Sequence, residues 1–296
     1  MDSQRLRHFV AVVNHGGFTA AARAVFVSQP ALSLAIKELE AELGTALFTR
    51  LGRRVQLTAA GEALLEPARQ VLRDLETGVA AVGAVAGLTA GNLTLACLPT
   101  LVADPVAPIV GAFRRDHAGV RIDLAAPEDT NELFSLITSG TCELGVTDAH
   151  DIPGELTTRS LGRQSLEFIL PPGPTALTRT RGRTNIADLH DTPFVVAPAG
   201  TSTFRLLQEG FAAAGHTPTV AVVTAQRDAI LPLVLAGAGA ALVPHSLAQT
   251  AEGMGAVRTK PNPPIERELA LVYRTGPMSP AAEAFARLAT TRTTKR

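Results

Sequence analysis

Two groups of side chains have the types and spacing to do chemistry, and they lie in separate parts of a 296-residue chain. The first is Ser28, Gln29 and Pro30, then Ser33 and Lys37, then Arg50, Arg53 and Arg54. Short polar side chains at a helix start sit where free N–H groups and the helix dipole favour phosphate. A glutamine there can bond a base edge in a major groove, and arginines on a neighbouring hairpin can hold phosphate or probe a minor groove. The second group is Thr100, Thr130, Asp148, Pro198, Thr201, Ser202 and Arg227, at strand ends and ahead of helices. In α/β folds such loops collect small ligands, and hydroxyls at helix N-termini suit an anionic metabolite. Asp148 opposes a dicarboxylate unless Arg227 or an amine on the ligand offsets it. Each group also has a plainer reading. Ser28 then only caps its helix, the arginines form a solvated tip, and Thr100, Thr130 and Ser202 cap helices of their own.

No converging catalytic or metal-binding set accompanies them. The seven histidines have no metal-ligand spacing, and there is no HExxH, GxSxG, P-loop or strand-following GxGxxG. Gly237-Ala238-Gly239-Ala240 is only a loose glycine cluster. The two cysteines, Cys97 and Cys142, exclude a disulfide scaffold and a cysteine-based zinc site, and both read as buried thiols at strand ends. No catalytic residue, metal or cofactor is expected.

The elements that must hold these groups follow from composition and periodicity. At 46% hydrophobic and 18% charged, the chain has enough apolar content for real cores and too little charge for disorder. Its length suggests two domains at roughly 150 residues each. Lys+Arg and Asp+Glu both number 27, so the overall balance says nothing about partners. Placement says more: residues 1–58 carry seven cations against four anions, and Arg50, Arg53 and Arg54 form a local basic tip. Met1-Asp2-Ser3-Gln4-Arg5 leads into no apolar export segment, and no apolar run reaches the ~18 residues of a membrane span. A cytoplasmic protein with no membrane contact is expected.

Leu6, Phe9, Val10 and Val13 recur at helical spacing over 4–14, which Gly16-Gly17 ends. A short helix over 18–25 follows. Ser28 caps a third, with Pro30 in its first turn, Leu32, Ile36 and Leu39 on one face, and Gly44 as its stop. Residues 47–57 read as a small hairpin. Three short helices and a basic hairpin make a winged helix-turn-helix.

The run Gly17-Phe18-Thr19-Ala20-Ala21-Ala22-Arg23, then Ser28-Gln29-Pro30-Ala31-Leu32-Ser33, Ile36, Leu39-Glu40, Leu43-Gly44, Leu47-Phe48, Arg50, Arg53, Leu57-Thr58 and Ala60-Gly61 closely resembles the N-terminal domain of LysR-type transcriptional regulators. Two positions depart from the usual pattern: Gly17 stands where members often have serine, and Leu34 where many carry arginine or another polar residue. The resemblance implies a sequence-specific DNA-binding regulator, switched by a small-molecule metabolite and acting on a palindromic duplex site, with RNA polymerase as a candidate partner. Some members sense peroxide through a cysteine pair in the second lobe, which has no cysteine here.

Thr58 can cap a helix running to about Val85. Leu65, Leu72 and Val79, interleaved with Ala68, Leu75 and Val82, form an a/d seam over about three heptads. The plain reading is a helix packed on its own domain. The sharper one is a dimerising linker, since Gly87-Leu88-Thr89-Ala90-Gly91 breaks the chain after it. The resemblance implies antiparallel pairing of linkers, and it alone suggests a tetramer.

From residue 92 onward, strands expected at 93–97, 120–124, 143–147, 166–170, 194–197, 220–223, 241–243 and 269–273 alternate with helices, among them 101–117, 203–214, 227–236 and 279–290. Such alternation predicts parallel sheets covered by helices on both faces. The overall class is α/β: a winged helix-turn-helix at 1–58, a linker helix and hinge at 59–90, and a two-lobed effector domain of periplasmic-binding-protein type at 91–296. By resemblance, lobe one is 92–160 with 268–296 and lobe two is 161–267. A reading from a different class stays open here: a small-molecule-binding protein or enzyme of two-lobed α/β fold with a helical N-terminal extension.

Overall fold

The computed structural model describes residues 2–51, 54–85, 91–173 and 182–293; side chains are not described at Arg50, Leu51 and Arg54, nor at most positions beyond Leu75 in the long helix. Arg53, the side chains of Arg50 and Arg54, Val79 and Val82, and the stretch Gly87-Leu88-Thr89-Ala90 thus lie outside the described residues.

Capping chemistry sets the first helices. Asp2 accepts the Gln4 N–H to open α1 (Ser3–Asn14). Gly17 precedes α2 (Phe18–Ala24) and offers no side chain. Ser28 Oγ accepts the Ala31 N–H at 3.3 Å to open α3 (Gln29–Leu43), which ends on Gly44 in the left-handed region. Leu6 and Phe9 of α1 meet Leu32, Ile36 and Leu39 of α3 in a buried cluster with Leu47. β1 (Phe48–Leu51) and β2 (Arg54–Leu57) form an antiparallel hairpin with Phe48 opposite Leu57. A carboxylate ties that hairpin to α3: Glu40 Oε1 accepts the N–H groups of Leu47 at 2.8 Å and Phe48 at 3.2 Å.

Thr58 Oγ1 accepts the Gly61 N–H and opens α4 (Ala59–Val85). Gly61 is required by close approach, since a Cβ there would collide with the Leu47 carbonyl. The first part of the expected seam is already occupied. Ala68 is buried in the N-terminal core, and Leu65 and Leu72 pack against it. Leu75 and Val71 remain exposed.

The remaining strands correct the expected parallel arrangement. β3 (Gly91–Cys97) lies parallel to β4 (Val120–Ala125) and to β5 (Leu144–Asp148). Two long strands, β6 (Leu156–Leu170) and β12 (Ile265–Arg274), then run antiparallel to each other, with β12 antiparallel to β5. The far half of β6 is flanked by two further antiparallel strands, β10 (Ala241–Pro244) and β11 (Val257–Asn262). β11 also carries β7 (Arg183–Asn185) in parallel. β8 (Pro193–Val196) and β9 (Thr219–Val223) make a separate parallel pair.

Helices cover these strands: α5 (Pro99–Leu101), α6 (Ala107–Asp116), α7 (Thr130–Thr138), α8 (Ser202–Ala213), α9 (Ile230–Leu235), α10 (His245–Gly253) and α11 (Pro280–Thr293). The single helix expected over 101–117 is broken at Asp104, whose backbone is extended, because the residue before a proline disfavours helical geometry. One apolar core gathers Leu93, Phe113, Ile137, Leu271 and Phe285, and another gathers Phe168, Phe194, Phe211 and Ile265. β6 and β12 are the strands that reach both cores. Among the described residues, no single helix is long and apolar enough to cross a membrane.

Candidate nucleic-acid face and effector cleft

The N-terminal group assembles around α3. Ser28 spends its hydroxyl on the helix cap, as the plainer reading expected. Gln29, Pro30 and Lys37 are exposed, and Gln29 Nε2 donates to Ser33 Oγ at 3.1 Å. Lys37 has no ion-pair partner among the described residues. The acids of α3 are engaged elsewhere: Glu38 and Glu42 bind Arg5 at 3.0 and 3.1 Å, and Glu40 holds the hairpin. The outward face of α3 therefore carries amide, hydroxyl and ammonium groups free of carboxylate competition. Arg50 and Arg54 sit on the two hairpin strands, and Arg50 pairs by backbone with Val55. Arg53 lies outside the described residues.

The second group converges in part. Thr100, Thr130, Thr201, Ser202 and Arg227 line one cleft, together with Pro99, Glu128, Asp129 and Gly200. The open space between them is about 10 Å³, room for little more than one water. Asp148 and Pro198 do not line it. The Asp148 carboxylate is buried and held by Arg205 at 2.7 Å, so Arg205 rather than Arg227 offsets its charge. The Pro198 carbonyl accepts from Thr201 Oγ1 at 2.9 Å.

The hydroxyls mostly do not cap. Asp129, not Thr130, accepts the Glu132 N–H at the start of α7. Thr201 precedes α8 without a side-chain cap bond. Thr100 and Ser202 instead face a residue that the sequence reasoning did not single out. Arg267, only 3% exposed, donates from Nη1 to Ser202 Oγ at 2.7 Å and from both Nη atoms to Thr100 Oγ1 at 3.3 Å. Its Nε and Nη2 donate to Gln164 Oε1 at 2.9 and 2.6 Å, across the β6–β12 pairing where the two residues are opposite. Gln164 in turn donates to the Asp104 carbonyl.

Burial pushes the Arg267 guanidinium down to about 10, against the pull of Asp148, so it remains a cation near neutral pH. Among the described residues no carboxylate forms an ion pair with it. Burial also lowers Arg227, with Glu128 pulling the other way. The arrangement is a buried positive charge satisfied by neutral dipoles, under a cleft of hydroxyls and helix N-termini. An entering anion would exchange these cation–dipole hydrogen bonds for ion pairs in which the acceptor also carries a full charge.

Cys97 ends β3 beneath this cleft, and burial pushes its thiol up to about 12; burial pushes Cys142 up to about 11. Neither is a ready thiolate.

Known proteins resemble the chain over nearly its whole length. Residues 3–62 match the family described as bacterial regulatory helix-turn-helix protein, lysR family, and residues 86–294 match the LysR substrate binding domain. The transcriptional regulator TfdS of Cupriavidus pinatubonensis is 31% identical over 291 residues, covering 96% of each chain. A RuBisCO operon transcriptional regulator of Allochromatium vinosum is 29% identical, covering 95% of this chain and 93% of that one. Among solved structures, a full-length OxyR variant from Pseudomonas aeruginosa aligns with a TM-score of 0.78 at 22% identity, covering 98% of this chain and 93% of that one. CbnR complexed with its target DNA aligns with a TM-score of 0.67 at 23% identity, covering 99% of this chain and 100% of that one.

Proposed function

The chain belongs to the LysR family of bacterial transcriptional regulators, and on that premise we propose how its own residues divide the work of reading DNA and sensing a metabolite. It is a DNA-binding transcriptional regulator with an effector-binding domain, as its relatives are, and the enzyme alternative falls away. In the proposed division, residues 1–58 grip the duplex, 59–90 link and pair two subunits, and 91–296 bind the effector, with lobes at 92–160 plus 268–296 and at 161–267.

On the DNA side, α3 enters a major groove with Ser28, Gln29, Pro30, Ser33 and Lys37, while Arg50, Arg53 and Arg54 hold phosphate. A two-fold pair of such domains fits a palindromic site. The exposed Val71 and Leu75 support pairing through the later part of α4. On resemblance to the family, the proposal extends to a tetramer, contact with RNA polymerase and a cytoplasmic location.

On the effector side, the ligand is a small anion seated between the lobes, which must part to admit it because the cleft as it stands has room for little more than one water. Thr100, Thr130, Thr201, Ser202 and Arg227 line its cleft, and Arg267 supplies the charge beneath; Asp148 and Pro198 act from behind. The observation that carries this is the Arg267 guanidinium, held at once by Thr100 and by Ser202 with no carboxylate ion-paired to it among the described residues. An anion that prefers one lobe arrangement shifts the regulator between states; equal affinity for both would shift nothing.

The test of the DNA side is retention of genomic fragments, including the one upstream of its own gene, by the full-length protein across a salt series. Affinity should fall log-linearly with salt, and Lys37→Ala should reduce that slope by about one. Absence of salt-sensitive retention on every fragment overturns the reading.

A further inference from the structure

The outward face of α3 is divided into two lanes of different chemistry. Gln29 and Ser33, four residues apart, are joined by their hydrogen bond and form a polar lane. Beside it run Pro30, Ala31 and Leu34. Leu34 lies four residues from Pro30 and three from Ala31, so the three share one surface. All three are exposed, Leu34 at 58%, while Leu32, Ile36 and Leu39 face the core. Lys37 stands one turn beyond Leu34 and is also exposed.

An exposed leucine is common on protein surfaces and needs no explanation by itself. Here its neighbours supply one. It occupies the middle of the face that carries the base-reading group and the free ammonium. The carboxylates next to that face are neutralised within the chain, Glu38 by Arg5 at 3.0 Å and Glu40 by the hairpin N–H groups. The face therefore suits a polyanion, yet its centre has no donor or acceptor. The major-groove edges of the bases present a single apolar group, the C5-methyl of thymine.

We propose that Leu34, flanked by Pro30, is a specificity-determining residue that receives a thymine methyl group, so that each half-site carries an obligatory thymine under the centre of α3. This rests on the reading of α3 as the groove-facing helix. The polar lane reads the neighbouring base pair by hydrogen bonds. The apolar lane discriminates thymine from cytosine by the methyl, with no hydrogen bond of its own.

The test separates the methyl from everything else on the base. A duplex selected from a randomised pool by the full-length protein is remade with deoxyuridine at one thymine at a time. Uracil keeps the pairing and every groove donor and acceptor, and lacks only the methyl. The full-length protein should lose about fourfold in affinity at one thymine of each half-site, the worth of one buried methyl. Leu34→Ala should show no penalty at that position and select a degenerate base there. Leu34→Met, apolar and of similar reach, should keep the penalty. Wild-type protein that binds every deoxyuridine duplex equally well, or a penalty that persists in Leu34→Ala, overturns the inference while leaving DNA binding intact. Loss of all salt-sensitive binding by the wild-type protein would instead overturn the groove-facing reading on which it stands.

Discussion

Arg267 Nη1 lies 2.7 Å from Ser202 Oγ, although 65 residues separate the two in sequence. Ser202 belongs to the first turn of α8, beside the core that holds Phe194 and Phe211, and Arg267 to a strand that reaches both cores. The same guanidinium meets Thr100 from the other side, just after β3. A single buried cation thus ties together elements packed on the two cores, and its partners there are hydroxyls that a stronger acceptor can displace. A fully charged acceptor attracts the cation more strongly than a hydroxyl dipole does, so a ligand carboxylate or phosphate would compete for Arg267 on favourable ground.

Arg267→Met removes the charge while keeping most of the volume. It should leave the fold intact and abolish stabilisation by small anions. In a thermal-shift panel of carboxylates and phosphates, wild-type protein gains stability with at least one compound, about 2.7 kcal/mol at a hundredfold excess over its Kd. An Arg267→Met variant that retained the same gain would place the anion elsewhere.

The N-terminal elements were legible because each boundary carries its own local chemistry. Ser28 and Pro30 open α3, Gly44 closes it in a left-handed turn, and the Leu32, Ile36 and Leu39 spacing fixes its buried face. The cleft was legible only as separate loops, since nothing local announces that Thr100, Ser202 and Arg267 meet. A signal for Arg267 did exist. Strand alternation, traced back from Leu269, puts Arg267 and Ile265 on the inward side and Glu266 and Glu268 outward, as the burial of β12 shows. The charges of Glu266-Arg267-Glu268 hid that period, and the strand was expected only from Leu269. β6 was half missed for a related reason: Thr157 to Ser160 are polar, and Arg159 is accommodated by Tyr273 and Glu283 rather than by apolar packing. The linker seam was legible as a heptad, but periodicity cannot tell a partner subunit from the chain's own core, where Ala68 is buried.

The two thiols give a pH signature. Burial raises Cys97 to about 12 and Cys142 to about 11, above the ordinary thiol value, so the neutral form is favoured in the folded protein. The contribution to stability is complete below the unfolded thiol pKa of about 8.5 and is lost as pH rises toward the folded values. In that window each thiol lowers stability by about 1.4 kcal/mol per pH unit. Urea melts of Cys97→Ser and Cys142→Ala should therefore show a shallower alkaline decline than wild type, and native protein at pH 8 should resist iodoacetamide. Fast labelling of either cysteine without unfolding would contradict this burial.

Phe26 combines two unfavourable states, a left-handed backbone at φ 57° and a ring that is 95% exposed. Asparagine tolerates that backbone far better than an aromatic residue does. Phe26→Asn should raise the stability of the N-terminal domain by about 1 kcal/mol, read as a higher urea midpoint for loss of its helices. A fall in that midpoint would mean that the exposed ring contributes packing that its surroundings do not reveal.

The turn at Gly140 and strand β12 are joined to α4 by two guanidinium groups sharing one acid. Arg73 of α4 donates to the Gly140 carbonyl at 3.0 Å and pairs with Glu66 at 3.2 Å, while Arg274 of β12 reaches Gln70 at 3.2 Å and Glu66 at 3.5 Å. Gly140 has a left-handed backbone, and a Cβ there would collide with the Arg73 and Arg274 side chains. Gly140→Ala should therefore cost about 1 kcal/mol from the backbone alone, and more from displacing Arg73. Partial exposure of Glu66 limits what the ion pairs add. If this joint carries lobe movement to the DNA-binding domain, amide exchange in α4 from Glu66 to Asp74 should quicken about tenfold in both Gly140→Ala and Arg73→Ala, the effect of roughly 1.4 kcal/mol in local opening. Unchanged exchange in both variants would mean that α4 is held by the N-terminal core alone, and that any signal from the cleft reaches the DNA by another route.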